Sequence, residues 1–156
     1  MQVIALPGRN SQTEAWLRAV LTESALPADG IVRYRHWDGA VDADADFDAR
    51  RLADRSPDLV IAKSLGTAIA ARAYCTQSFR PRSAIIIGTP FSAFGPEDSA
   101  SLRRLAESVE TLFIQQADDP GGSASQLGDS LRLSAPTVAT VPGNDHLYAD
   151  TGALAV

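Results

Sequence analysis

Leu59-Val60-Ile61-Ala62-Lys63-Ser64-Leu65-Gly66-Thr67-Ala68 holds the pattern that decides the fold. Its first half is a short apolar run with β-branched side chains, the signature of a strand covered on both faces. An alanine-rich stretch from Thr67 to Tyr74 follows directly and reads as a helix. Only the residues around Ser64 separate the two, so the chain must pass from strand to helix through a sharp turn.

The same alternation extends in both directions. Further strand-like runs are Val3 to Leu6, Ile31 to Tyr34, Ala84 to Ile87, Thr111 to Ile114 and Thr137 to Val141, each bounded by Pro, Gly or polar residues. Helical patterns lie between them. Ser11-Gln12-Thr13-Glu14 has the form of a capping box, followed by Trp16, Leu17, Val20 and Leu21 at helical spacing. Phe47 to Arg55 forms a short helix before Pro57. Pro96-Glu97-Asp98 opens a helix through Leu102, Leu105 and Val109. Weaker helical patterns cover Ser123 to Leu131 and Asp145 to Leu154. Strands alternating with helices predict an α/β three-layer sandwich around a parallel six-stranded sheet, with right-handed crossovers.

The chain has 156 residues, enough for one domain with a sizeable core. Hydrophobic residues make up 45% and charged residues 21%, which argues against disorder. The net charge of −5 and the scattered arginines speak against a nucleic-acid partner. No apolar run reaches the length of a membrane span, and the N-terminus lacks the pattern of a signal peptide. Cys75 is the single cysteine, so neither a disulfide framework nor a cysteine-rich zinc site is expected. These features suit a reducing cytoplasm, most simply that of a bacterium.

In open α/β sheets, ligands bind at the carboxyl ends of the strands. The residues there include Pro7-Gly8-Arg9-Asn10, Lys63-Ser64-Leu65-Gly66, Gly88 to Phe91, Gln115 to Pro120 and Pro142 to His146. The turn Ala62-Lys63-Ser64-Leu65-Gly66 resembles the nucleophile elbow, G-x-S-x-G, of the α/β-hydrolase family. Such a tight turn admits only small residues two before and two after the serine, a demand that Ala62 and Gly66 meet. The plainer reading of Ser64 is an N-cap for the following helix.

The resemblance implies a triad in the chain order serine, acid, histidine. The nucleophile is then Ser64. The acid falls at Asp119, with Asp118 as the neighbouring alternative. The Gly-x-Asp-His stretch after the last strand supplies His146. The oxyanion hole would be built from the backbone N–H groups of Leu65 and Arg9, with Gly8 allowing close approach. Gly8 and Asn10 would border the substrate pocket. Phe91 and Phe94 could line an acyl pocket or belong to the core.

The family's common sheet has eight strands, and only six are legible here, in the implied order 2-1-3-4-5-6. About nine residues, Gly88 to Pro96, separate the fourth strand from its helix, which leaves no room for a cap domain. The resemblance thus implies a small, lidless serine hydrolase for an ester, thioester or related acyl substrate; the alternatives are a non-catalytic ligand-binding module on the same scaffold, or the same pocket used for acyl transfer or lyase chemistry. Such a hydrolase needs no cofactor and no metal.

Other groups read as structural. His36-Trp37-Asp38 closes the expected edge strand. Asp42, Asp44, Asp46 and Asp48 fail the EF-hand pattern and suit an acidic loop before a helix. Lys63, the single lysine, reads as a surface residue at the helix start.

Overall fold

The apolar runs pair into a sheet that is parallel throughout. The computed structural model describes residues 1–39, 41–132 and 137–149. Its five strands are β1 (Val3–Leu6), β2 (Leu59–Lys63), β3 (Ser83–Ile87), β4 (Glu110–Gln116) and β5 (Val138–Val141), in the order β1-β2-β3-β4-β5. The helices are α1 (Gln12–Glu23), α2 (Ala45–Arg50), α3 (Leu65–Thr76), α4 (Pro96–Ser108) and α5 (Ala124–Leu131).

The sheet is one strand smaller than expected, and without the second expected strand its order is sequential. The segment Ile31 to Tyr34 makes only one parallel bridge, Ile31 to Ala5, on the outer side of β1. The chain then leaves the edge. Tyr34 is fully buried, its hydroxyl donates to the Pro7 carbonyl at 3.0 Å, and a 3-10 turn over Arg35–Asp38 follows at once. Exposed Arg33 and Arg35 flank it, charges that suit solvent rather than further pairing.

That bridge explains the layering. Right-handed crossovers between sequential strands place their helices on one face of the sheet. Accordingly α2, α3, α4 and α5 cover the face that carries Ile4, Val60, Ala62, Ile86 and Phe113. Because the chain runs from β1 outward to Ile31 before returning to β2, α1 falls on the opposite face. There Leu17, Val20 and Leu21 pack with Val3, Ala5, Ile61, Ile87 and Tyr148. Strand alternation of period two sorts the residues between these faces. It puts Lys63 on the α1 face, in line with Leu59 and Ile61.

Helix α3 lies at the centre of its layer, between α2 and α4. Ala68, Ala70, Ala71 and Ala73 are buried there, and these small side chains let the helix come close to the sheet. The expected capping box at α1 does not form. Ser11 makes no side-chain cap, and the Glu14 carboxylate pairs with Arg18 at 3.3 Å instead. The short helix expected over Phe47 to Arg55 is shifted to Ala45–Arg50, capped by Asp44, whose carboxylate accepts from the Phe47 N–H at 2.9 Å. Asp46 and Asp48 pair with Arg72 and Arg51. Residues 145–149 are not helical, with positive φ at His146 and Tyr148, and the rest of the helix expected over Asp145 to Leu154 lies outside the described residues.

Candidate active site

Ser64 occupies the junction of β2 and α3. Its backbone adopts φ 52° and ψ −115°, a conformation that L residues rarely hold without support. Support comes from both sides. The Ser64 N–H donates to the Ile87 carbonyl at 3.1 Å, and the Gly66 N–H donates to the Pro7 carbonyl at 3.1 Å. A Cβ on Gly66 would sit 2.2 Å from the Leu6 carbonyl oxygen, so no larger residue fits while the helix start rests against β1. Ser64 makes no side-chain cap on α3. Its hydroxyl is turned toward another group.

That group is His146, whose Nε2 lies 3.1 Å from Ser64 Oγ. On the other side of the ring, Nδ1 lies 2.8 and 2.9 Å from the two carboxylate oxygens of Asp119. The Asp119 side chain is fully buried. It also accepts from the Gly121 N–H at 2.7 Å and from the Tyr148 hydroxyl at 2.7 Å. Such a carboxylate holds Nδ1 protonated and leaves Nε2 as the acceptor facing the serine. Asp118 is exposed, and only its backbone takes part, donating to the Gly143 carbonyl at 3.2 Å. Of the two adjacent acids, the structure brings Asp119 to the histidine.

The histidine loop is held by residues that sequence reading passed over. Gln116, buried at the end of β4, accepts from the N–H groups of Asp145 and His146 at 3.2 and 3.0 Å. Its Nε2 donates to the Asp145 carboxylate at 2.9 Å, which helps hold that acid below the usual carboxylate range. Gln115 ties the Thr89 backbone to the Gly122 carbonyl and so braces the loop of the acid. Two amides ending an otherwise apolar strand were the visible signal. Tyr148 links Asp119 to the Gln116 N–H, which donates to its hydroxyl at 2.8 Å. Burial holds the Tyr148 phenol far above its ordinary value, so it stays protonated as a donor. Gly88, at φ 60°, leaves room for that ring, since a Cβ there would lie 2.8 Å from Tyr148 Cε2.

Lys63 is the clearest correction. It is 3% exposed rather than a surface residue. Its Nζ donates to the His146 carbonyl at 2.9 Å and lies 5.3 and 4.8 Å from the ring centres of Trp16 and Tyr148. Burial lowers its pKa to about 8, against the raising influence of Asp119 and Asp145. The strand register explains the placement. Position 63 continues the row of Leu59 and Ile61 beneath α1, so the side chain next to Ser64 is carried under the histidine loop.

Leu65 begins α3, and an N–H at a helix start has no partner four residues back. The Arg9 N–H donates to no other group among the described residues, and the Arg9 carbonyl is anchored by Trp37 Nε1 and His36 Nε2, both at 2.8 Å. His36 and Trp37 thus brace the loop after β1. Gly8 is close to Ser64, where an added Cβ would stand 3.4 Å from the serine Cβ. A cleft of about 320 Å³ opens over Ser64 and His146, bordered by Gly8, Arg9, Asn10, Trp16, Lys63 and Leu147. Phe91 and Phe94 do not line it. Their rings pack 6.3 Å apart against the core on the face of α3 and α4. Phe91 opens a short 3-10 turn over Phe91–Ala93, Phe94 follows it, and both are half-buried.

No helix among the described residues is long and apolar enough to cross a membrane. Compared with known proteins, the chain matches no family model, no curated protein and no solved structure.

Proposed function

We propose that the protein is a small, lidless serine hydrolase of the α/β-hydrolase type, acting on an ester, thioester or related acyl substrate. The observation that carries this reading is the unbroken chain Ser64 Oγ to His146 Nε2 at 3.1 Å and His146 Nδ1 to buried Asp119 at 2.8 Å. The left-handed φ of 52° at Ser64 supports it, because a serine placed only to cap a helix has no need of that backbone.

The reaction follows from the geometry. Ser64 Oγ attacks the acyl carbonyl carbon while its proton passes to His146 Nε2. The carbonyl electrons move to oxygen, and the N–H groups of Leu65 and Arg9 hold the resulting oxyanion. The carbonyl re-forms, the bond to the leaving group breaks, and His146 returns the proton to that group. Water then attacks the acyl-Ser64 ester, again giving its proton to Nε2, and Ser64 leaves with that proton as the acid is released. Asp119 holds the imidazole tautomer and stabilises the imidazolium at each half-reaction. Tyr148, Gln116 and Lys63 position the loop without touching the reacting atoms.

The test is intact mass after treatment with a fluorophosphonate. Wild type should gain one adduct, and Ser64→Ala should gain none. Loss of the nucleophile in a comparable triad costs roughly 10⁶ in turnover, so Ser64→Ala should also show no ester hydrolysis above background. An unlabelled, folded wild type would refute the proposal.

A further inference from the structure

The charged side chains that line the cleft are of one sign. The cationic side chains lining it are those of Arg9 and Lys63, and no carboxylate lines it among the described residues. The chain as a whole carries a net charge of −5, so a lining with cations alone stands out from the rest of the surface. Asp119 is close, but its fully buried side chain faces the far edge of the His146 ring. The Asp145 carboxylate is held by Gln116 Nε2 and by the Leu147 N–H, both at 2.9 Å, which keep it charged, and it lies outside the lining, toward Lys63. The N-termini of α1 and α3 both open at the cleft, through Gln12, Thr13 and Ser64, and add partial positive charge.

Arg9 is an exposed residue on an anchored loop. Its backbone is fixed, with the carbonyl anchored by His36 and Trp37 at 2.8 Å each. Its side chain makes no ion pair and no hydrogen bond among the described residues. It stands where the cleft over Ser64 meets a second, polar cleft of about 470 Å³, and Asn10 and Gln12 border both. A fixed root with a free guanidinium, flanked by two amide side chains, suits a planar anion. Asp42 borders the second cleft and would repel an anion lying deeper there. Lys63 is the second cation of the lining, but Asp119 and Asp145 lie close enough to offset its charge, so Arg9 is the cation left to meet an anion. Lys63 is buried, bonded to a carbonyl, and within 4.0 Å of no carboxylate among the described residues.

We propose that the substrate of this site carries an anionic group, in the simplest case a carboxylate a few bonds from the scissile carbonyl, and that the Arg9 side chain receives it at the junction of the two clefts. This rests on the hydrolase reading for the role of Ser64, but anion binding at the cleft can be measured without turnover. Trp16 borders the first cleft and Trp37 the second, so their indole N–H resonances report on both.

The experiment titrates glutarate, and separately its neutral diamide, into the protein while the two indole signals are followed by NMR. Glutarate should shift them saturably and the diamide should not. About 0.5 M salt should weaken the response, since the cleft is open to solvent. Arg9→Gln should weaken glutarate binding roughly tenfold. Equal responses to acid and diamide, or glutarate binding unchanged in Arg9→Gln, would overturn the proposal. In parallel, the monophenyl ester of glutaric acid should exceed its methyl-capped analogue roughly tenfold in kcat/KM, and Arg9→Gln should bring that ratio near one. A wild-type ratio of one would count against the anion site. Failure to cleave either ester, together with no fluorophosphonate adduct on Ser64, would overturn the hydrolase reading alone, with the titration still deciding the anion site.

Discussion

Replacing Lys63 with methionine should stabilise the protein at neutral pH and remove a pH dependence that the wild type carries. The ammonium is 3% exposed, and burial lowers its pKa from the ordinary 10.5 to about 8. Each pH unit between those values corresponds to about 1.4 kcal/mol, so the charged form costs the fold roughly 3 kcal/mol. The folded value is the lower one. Between about 8 and 10.5 the unfolded chain keeps a proton that the folded chain has released, so stability rises with pH across that window. The penalty is full below the folded value and gone above the unfolded one.

Methionine fills similar space without the charge. It forfeits the bond to the His146 carbonyl, worth about 1 kcal/mol, and the contacts with the Trp16 and Tyr148 rings, worth about 1 kcal/mol more. The variant should therefore lead by about 1 kcal/mol near pH 7 and trail by about 1 kcal/mol near pH 9.5. Urea unfolding of both proteins at the two pH values, followed by circular dichroism, reads the difference. Tyr34 and Tyr148, both raised by burial, lower stability at high pH in each protein and drop out of the comparison. Curves that stay parallel, with the difference changing by less than about 0.5 kcal/mol, would refute the claim that Lys63 is held charged in a desolvated place.

The acid is decided by paired variants: Asp119→Asn should lower kcat by about 10²–10⁴, while Asp118→Asn should stay within about twofold of wild type. Tyr148→Phe removes a donor to Asp119 at 2.7 Å and the acceptor of the Gln116 N–H, so thermal or urea unfolding should show a loss of about 1–3 kcal/mol. Gly66→Ala would put a Cβ 2.2 Å from the Leu6 carbonyl oxygen and should cost about 3 kcal/mol or more, read by the same unfolding assay. Gly128→Ala, in α5 with nothing within 4 Å, should instead add about 0.5–1 kcal/mol of stability.

The turn that carries Ser64 was legible from local chemistry, whereas the acid and the histidine were reached through the resemblance. Ser64 stands between an apolar run and an alanine-rich run, and the need for small residues on either side of it is written into Ala62 and Gly66. His146 follows the last strand within a Gly-x-Asp-His stretch, and an acid pair follows the strand before. The edge strand was misread because Ile31-Val32-Arg33-Tyr34 has the composition of a strand. Its pairing ends where Tyr34 is drawn to the Pro7 carbonyl, a contact across 27 positions. Phe91 and Phe94 were ambiguous for a similar reason. Apolar side chains in a loop serve a pocket or a core alike, and the turn at Phe91–Ala93 chose the core.

By itself, the sequence determined the alternation of strands and helices and the sharp turn at Ser64. These follow from the period of apolar residues and the steric limits of a turn, both short-range. Tertiary structure alone decided that Asp119 rather than Asp118 meets His146, that Lys63 lies under the histidine loop, and that Gln116 and Tyr148 brace it. Each of those choices depends on which side of a strand or turn faces a segment distant in the chain. A shift of one residue in register would reverse it, and only the packing of the whole sheet fixes that register.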